Sequence, residues 1–219
     1  MALVDPETPR DELLKSTKRT KGVRFNASKR LEKSEKTKTS VIAYASASVI
    51  VLTILPAFFS LPSFVTSFLA LATVGMSVVI LAATLIQNSD AGMVKSDQFH
   101  RCALEVNALR RRILTDEGAD SEQLAIYATQ YNEIMQRFGL NHDPVDYEQY
   151  RQEHLDEFPE LAAQIGPNPE IPENSSDRVI EKVLRGIMFT TSVAVIAALF
   201  AGLEGGFSAF VEFWRNLIR

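Results

Sequence analysis

Residues 39–89 read TSVIAYASASVIVLTILPAFFSLPSFVTSFLALATVGMSVVILAATLIQNS and contain no charged side chain. The hydrocarbon core of a bilayer is roughly 30 Å thick and a helix rises about 1.5 Å per residue, so one crossing needs about twenty apolar residues. This stretch is long enough to cross twice, and Pro56 and Pro62 lie near its middle. The sequence therefore predicts a transmembrane helical hairpin, with helices over about 40–59 and 64–86.

Positive charge flanks both ends of this hairpin. Lys95 and Arg101 follow its exit, whereas the turn near residues 60–63 carries no charge. Positive residues beside short loops stay on the cytoplasmic side, so both ends of the hairpin are predicted to be cytoplasmic. The basic residues before the first helix are predicted to fix this topology or to contact anionic lipid. They are Lys29, Arg30, Lys33, Lys36 and Lys38.

The charges of the chain are segregated, although its 219 residues and net charge of −4 would also fit one soluble domain. Residues 1–38 hold eleven Lys and Arg against six Asp and Glu, whereas residues 90–185 hold ten against nineteen. We divide the chain into a basic cytoplasmic N-terminal segment (1–38), the hairpin (39–89), a cytoplasmic helical domain (90–165), a linker with a helix start (166–185), and a third apolar helix with an amphipathic tail (186–219).

The acidic middle block has the periodicity of helices. Apolar residues recur at steps of three and four over 99–113 and again over 124–138, which predicts two helices packed as an antiparallel pair. A direct continuation of the first of these helices from the second membrane helix is compatible with this pattern. Asp120 or Ser121 can cap the start of the second, and Gly139 suits the left-handed residue that ends it.

The rest of the chain contains further helical signals. Asp143 before Pro144 predicts a helix that runs towards Phe158. The apolar run over 187–203 predicts a third crossing, with a re-entrant segment as the alternative, and an amphipathic helix containing Trp214 follows it. The predicted fold is an all-α membrane protein, with a transmembrane helical hairpin, a cytoplasmic helical domain, a third transmembrane helix and a C-terminal amphipathic helix.

The second membrane helix carries a stripe of small and polar residues within a sector roughly 60° wide. The stripe consists of Thr66, Ala70, Thr73, Ser77, Thr84 and Asn88. Such residues let helices within one chain approach closely and hydrogen-bond. Alternatively, several copies assemble with the stripe facing a shared axis, where it lines a pore or contacts neighbouring subunits. No charged residue lies deep in any predicted span, which argues against an ion-coupled transporter.

Candidate catalytic groups are few. The chain has one cysteine and three histidines: Cys102, His100, His142 and His154. Cys102 lies on the apolar face of its helix, which is typical of a small buried hydrophobe. Asn141, His142, Asp143 and Asp146 could bind a metal, although their role in capping a turn explains them as well. With no phosphate-binding loop or zinc spacing, the sequence predicts neither enzyme activity nor a cofactor. Nucleic-acid contact by the basic segment is conceivable but unsupported.

Several short motifs resemble the SLATT domain. Arg24-Phe25-Asn26 and Arg30-Leu31-Glu32 precede the hairpin, and Asp97-Gln98-Phe99-His100-Arg101-Cys102 follows it. The residues of the helical domain that we assign to this structural motif are Phe99, His100, Arg101, Glu105, Asn107, Asn141, His142, Asp146 and Tyr147. The resemblance rests on the order of these motifs around a two-span hairpin, over about residues 18–158. The third apolar run and the tail depart from that pattern.

The resemblance implies a bacterial two-transmembrane effector of anti-phage defence in the inner membrane. Such an effector disrupts the membrane and halts growth of the infected cell when a partner enzyme triggers it. That partner makes a nucleotide signal or, in some subfamilies, is a reverse transcriptase. The resemblance offers no catalytic residues.

Three hypotheses about function follow. The first is a homo-oligomeric effector that forms pores or damages the membrane lipid. The second is a non-catalytic membrane scaffold that anchors a nucleotide synthase or reverse transcriptase. The third and weakest is a membrane-bound hydrolase or nuclease that uses His100 or His142.

Overall fold

The computed structural model describes residues 8–58 and 61–162 together with positions 182 and 186, and the described chain is all-α. Its helices are α1 (Pro9–Phe58), α2 (Ser63–Asp90), α3 (Gly92–Thr115), α4 (Ser121–Phe138), α5 (Pro144–Glu153) and α6 (Pro159–Ala162). The predicted third crossing over 187–203 and the amphipathic tail lie outside the described residues.

The chain divides into two compact units. Among the described residues, 8–35 and 91–162 form the first, here called the helical unit, and 36–58 and 61–90 belong to the second, here called the hairpin unit. Helix α1 thus contributes its N-terminal part to one unit and its C-terminal part to the other.

Helix α1 begins at Pro9, about thirty residues before the first predicted membrane helix. Thr8 starts it, because its hydroxyl oxygen accepts a hydrogen bond from the Asp11 backbone N–H at 3.2 Å. Asp11 and Glu12 lie in the first turn, where carboxylates favour the positive end of the helix dipole. The next proline in the helix is Pro56, close to its end. The basic segment is therefore helical, although it lacks the apolar stripe by which helices are predicted.

The hairpin unit contains two helices that are long and apolar enough to cross a membrane. In their most apolar stretches only 17% and 11% of the residues are buried. A core helix of a soluble protein would be mostly buried, so this exposure favours contact with lipid. Leu52 and Leu55 of α1 pack against Leu69 of α2. The two helices predicted for the hairpin are thus both present, as candidate membrane spans.

Ala91 separates α2 from α3. Its φ of 48° lies in the left-handed region, which residues other than glycine rarely adopt. The sequence allowed the helix after the hairpin to continue directly from α2. In the structure it does not, because α3 is a separate helix that begins at Gly92.

The helical unit has two clusters of buried side chains. In the first, Cys102, Val106, Leu109 and Ile113 of α3 pack with Tyr127 and Ile134 of α4, and Leu13 and Leu14 of α1 lie against them. The Tyr127 hydroxyl donates to Asp116 after α3, while Arg137 near the end of α4 pairs with Glu105. Helices α3 and α4 are therefore antiparallel, as predicted. The second cluster joins Val23 of α1 to Tyr150, Phe158 and Leu161.

Local chemistry sets the helix ends in this unit. Asp120 Oδ1 accepts from the Gln123 N–H at 2.8 Å, and Gly139, with φ of 56°, donates to the Met135 carbonyl. Both caps were predicted. Helix α5 starts at Pro144 as expected but ends at Glu153, short of Phe158. A proline disfavours the helical conformation in the residue before it, and Pro159 follows Phe158 and begins α6.

Candidate functional site

The polar stripe of α2 lies in several environments. Thr73 is buried, Thr66 and Thr84 are half-buried, and Ala70, Ser77 and Asn88 are exposed. All four stripe hydroxyls donate to carbonyl oxygens of the preceding turn, at distances of 2.8–3.4 Å. Their donors are thus satisfied without another helix, and their remaining lone pairs can accept further hydrogen bonds.

Thr73 and Ser77 lie on a groove between α1 and α2. The groove has a volume of about 300 Å³ and is lined by Val49 and Thr53 of α1 and by Thr73, Val74, Ser77, Val78 and Leu81 of α2. The Thr53 hydroxyl also donates to its own helix, at 2.7 Å from the Val49 oxygen. Three hydroxyl-bearing side chains therefore line an otherwise apolar groove in the hairpin unit.

Asp146 is the most enclosed residue of the predicted structural motif, with 0% of its surface exposed. Its Oδ1 accepts from Arg30 Nε at 2.8 Å, and its Oδ2 accepts from Arg30 Nη2 at 3.1 Å. Oδ2 also accepts from the backbone N–H of Asp143 at 3.1 Å. The hydrogen bonds to Asp146 raise the pKa of the Arg30 guanidinium. This bidentate pair joins α1 to the first turn of α5.

The basic residues before the hairpin occupy different surroundings. Arg30 is engaged within the helical unit, where it also pairs with Asp143. Lys29, Lys33 and Lys36 are exposed, and Lys38 Nζ lies 3.7 Å from Asp90 Oδ2 at the end of α2. Contact of these residues with lipid stays a prediction, and for Arg30 the structure adds a role inside the protein.

Phe99 and His100 both face the N-terminal half of α1 through aromatic contacts. Phe99 is buried, and the Arg24 guanidinium lies 5.1 Å from the centre of its ring. His100 is exposed, with its ring edge-on to Phe25 at 5.4 Å. A cation over an aromatic face is attracted by the ring quadrupole, so Phe99 holds the Arg24 side chain in place.

The other motif residues of α3 lie nearer the surface. Arg101 pairs with Asp97 at 2.8 Å within the helix, and Glu105 pairs with Arg137 of α4 at 2.9 Å. Asn107 is half-buried. Exposed pairs of this kind contribute less than about 1 kcal/mol each, so they refine the packing of α3 rather than determine it.

His142 and Tyr147 line a cavity of about 320 Å³ in the helical unit, next to the exposed Asn141. The other lining residues come from α1 and α4: Arg19, Thr20, Val23, Arg24 and Met135. Partial enclosure, together with the positive charge of Arg24, lowers the pKa of His142. The shift favours the neutral form of the imidazole.

Glu157 collects three donors from two parts of the helical unit. Lys18 and Arg19 of α1 pair with its carboxylate, and the Tyr150 hydroxyl donates to Oε1 at 3.0 Å. Burial alone would raise the pKa of Glu157, but the hydrogen bonds from Lys18, Tyr150 and Arg19 outweigh it and the pKa falls below its ordinary value. The ionised form of Glu157 thus stabilises the fold.

We expect the stabilising effect of Glu157 to disappear at low pH. Because its pKa is depressed in the folded state, the contribution is complete above the unfolded pKa of about 4.3 and is lost as the pH falls through the folded value. Glu157→Gln should lower the melting temperature of the detergent-solubilised full chain at pH 7, and this difference should shrink as the pH falls below about 4 towards about 2. Glu160→Gln, an exposed control, should change neither value. A difference that stays constant as the pH falls from 7 to about 2 would contradict the assignment.

Cys102 is fully buried, and burial raises the pKa of its thiol. A raised pKa keeps the thiol protonated and unreactive at neutral pH. Among residues 8–58 and 61–162, no group of three His, Cys, Asp or Glu side chains could hold a metal ion.

Sequence reasoning did not select Arg19, Arg24 or Glu157 as site residues. Arg24 lies in the motif Arg24-Phe25-Asn26, but the net charge of its segment predicts only a surface that contacts lipid. The signal that could have identified it is position, because Thr17, Arg24 and Ala27 recur at steps of seven and three and are all buried. A search for apolar periodicity does not detect a buried helix face that contains polar and charged residues.

The comparisons with known proteins agree with the two-helix hairpin. No curated protein and no solved structure matches the chain. A family model described as SMODS and SLOG-associating 2TM effector domain family 5 (SLATT family 5) matches residues 6–203. That range covers most of the 219 residues and includes both membrane helices and the whole helical unit. The chain therefore belongs to this family of two-transmembrane effector domains, associated with SMODS and SLOG defence systems.

Proposed function

We propose that the protein is an effector of a bacterial antiviral defence system that oligomerises in the inner membrane and permeabilises it. A partner enzyme that makes a nucleotide signal provides the trigger, and the helical unit holds the hairpin quiescent until then. The protein performs no catalysis itself. The observation that carries the proposal is the hydroxyl-lined groove between α1 and α2.

The organisation of the chain supports the topology. Residues 8–35 and 91–162 form one unit, which supports an arrangement in which both ends of the hairpin leave the membrane on the same side. The basic residues that precede the apolar part of α1 support a cytoplasmic location for that side, because positive residues beside short loops are retained there. A signal made in the cytoplasm would therefore reach the helical unit directly.

The groove supports permeabilisation because lipid tails cannot hydrogen-bond to it. Thr53, Thr73 and Ser77 present oxygen lone pairs there, beside valine and leucine side chains. Two occupants suit such a surface: a helix of a second copy, packed through small and hydroxyl residues, or a file of water. When several hairpins assemble around the groove, the same hydroxyls can serve both.

Replacing Thr73 and Ser77 together with leucine should abolish membrane leakage and leave insertion intact. Leucine fills the groove and removes two of its three hydroxyls, so neither water nor a neighbouring helix can use it. We expect the membrane potential of cells that express the variant with its partner synthase to match that of cells without the effector. Release of dye from proteoliposomes should fall to the level of protein-free vesicles.

The matched control is Val79→Leu with Ile86→Leu. These two residues of α2 are exposed and lie outside the groove, so the substitutions add or rearrange apolar volume without touching a hydroxyl. Leakage should persist in the control. Undiminished leakage from the Thr73→Leu, Ser77→Leu protein would count against the pore proposal.

An exchange of residues 40–86 for an unrelated hairpin separates the effector from the scaffold alternative. A scaffold needs only an anchor, so it would keep its protective function after the exchange. The proposed effector loses protection, although the helical unit is unchanged and the protein still reaches the membrane.

A further inference from the structure

The cavity that His142 and Tyr147 line contains a buried cation with no matching anion. Arg24 lines this cavity, only 4% of its surface is exposed, and its Nη1 has no hydrogen-bond partner among the described residues. Buried charges in proteins are normally paired or hydrogen-bonded, because desolvation of an unpaired charge is costly. The missing acceptor therefore requires an explanation.

The carboxylates of this unit do not supply that acceptor. Both oxygens of Asp146 are taken by Arg30, and Asp143 also pairs with Arg30. Glu157 is bound by Lys18, Arg19 and Tyr150. Burial lowers the pKa of the Arg24 guanidinium, and the negative charge of Asp146 does not offset this effect. The cavity thus has an excess of positive charge at its Arg24 wall.

The rest of the cavity is suited to a small anionic ligand. Thr20 and His142 provide polar atoms, Val23 and Met135 an apolar wall, and Tyr147 an aromatic ring whose residue is 37% exposed. A volume of about 320 Å³ reaches the lower end of the range typical of small-molecule sites, roughly 300–1,000 Å³. Arginine is the side chain best matched to a phosphate group, since its planar fork can donate two parallel hydrogen bonds.

We propose that this cavity binds a small phosphate-bearing molecule, with the phosphoryl group on Arg24 and His142 and the remainder of the ligand against Tyr147. The proposal goes beyond the pore, because it concerns the helical unit and stands whether or not the hairpins assemble. A bound ligand would touch α1, the end of α4 and the start of α5 at once. It would therefore alter how firmly the N-terminal half of α1 is held, and α1 continues into the hairpin.

Such a phosphate group could belong to a nucleotide or to a lipid headgroup, and the two differ in the chemical group attached to the phosphate. A nucleotide adds a planar base that can stack on Tyr147, whereas a lipid headgroup adds only a glyceryl or polar alcohol portion. Adenosine 5′-monophosphate, glycerol 3-phosphate and inorganic phosphate are therefore suitable probes, with adenosine as the probe that lacks phosphate. Tighter binding of the nucleotide points to a free nucleotide, and equal binding of the first two points to a headgroup.

Isothermal titration of the detergent-solubilised full chain tests the site. We expect at least one phosphate-bearing probe to bind at millimolar concentration or below, and adenosine to bind more weakly. Arg24→Gln should weaken that binding about tenfold or more. The substitution removes a charged donor, and hydrogen bonds that involve a charged group are stronger than those between neutral groups. Arg101→Gln removes an exposed arginine outside the cavity and should leave the affinity unchanged.

A second variant covers the case in which Arg24→Gln fails to fold. His142 is exposed at the cavity and lies outside both core clusters, so His142→Ala should retain the fold and still weaken binding. Absence of binding by all three phosphate-bearing probes would overturn the proposal. So would binding that neither Arg24→Gln nor His142→Ala affects.

Discussion

Replacement of Asp146 with alanine should destabilise the helical unit by about 3–5 kcal/mol, the cost typical of removing one partner from a buried ion pair. Asp146 is fully buried and the side chain of its partner Arg30 is only 15% exposed. The substitution leaves the Arg30 guanidinium without its bidentate acceptor and the backbone N–H of Asp143 without its bond to Oδ2. Amide hydrogen exchange across α5 in the detergent-solubilised full chain would measure the loss.

Glu148→Ala is the matched control for this prediction. Glu148 lies on the same helix and pairs with Arg151 at 3.1 Å, but the pair is local and partly exposed. Its loss should cost less than about 1 kcal/mol. The double variant Arg30→Met, Asp146→Leu should recover part of the lost stability, because it removes both charges and fills the space with apolar atoms. Equal exchange rates in Asp146→Ala and the wild type would show that the pair does not support the unit.

The hairpin and the helix caps could be predicted because each depends on local chemistry. A stretch without charge that is long enough for two crossings is compatible with few structures other than a helical hairpin. Backbone N–H and C=O groups within lipid must be hydrogen-bonded inside the protein, and a helix achieves this within one segment. Asp120 begins α4 and Gly139 ends it, through hydrogen bonds to residues three and four positions away, respectively. Such signals are complete within a short window of sequence.

The assembly of the helical unit could not be predicted, because its partners are distant and its buried α1 face is polar. Arg30 and Asp146 form an ion pair although they are 116 positions apart in the sequence, and no sequence pattern links the two. Thr17, Arg24 and Asn26 are all at least 96% buried, which an apolar search does not detect. The charge of the basic segment therefore predicts a surface that meets lipid, whereas residues 8–35 form a wall of the helical unit. The candidate ligand cavity depends on that wall.

Gly22→Ala should destabilise the helical unit by about 1–3 kcal/mol, the usual cost of overpacking. Alanine in place of a helical glycine normally stabilises by about 1 kcal/mol, so the expected sign is the reverse of the intrinsic preference. A Cβ at position 22 would lie 2.4 Å from two ring carbons of Tyr150. The Tyr150 ring is fully buried, stacked on His154 and tied to Glu157 through its hydroxyl, so it has no room to move away. Thermal unfolding of the full chain in detergent, followed by tyrosine fluorescence, would measure the effect.

Two comparisons isolate the clash with Tyr150 as the cause. Gly118→Ala, at a position with no atom within 4 Å of the added carbon, should change stability little. In a Tyr150→Ala background the obstructing ring is gone, so Gly22→Ala should become neutral or stabilising there, as helix propensity alone predicts. Removal of the Tyr150 ring should therefore reverse the sign of the stability change that Gly22→Ala causes. If Gly22→Ala costs as much in that background as in the wild type, the loss arises in the backbone of α1 and not from its packing against α5.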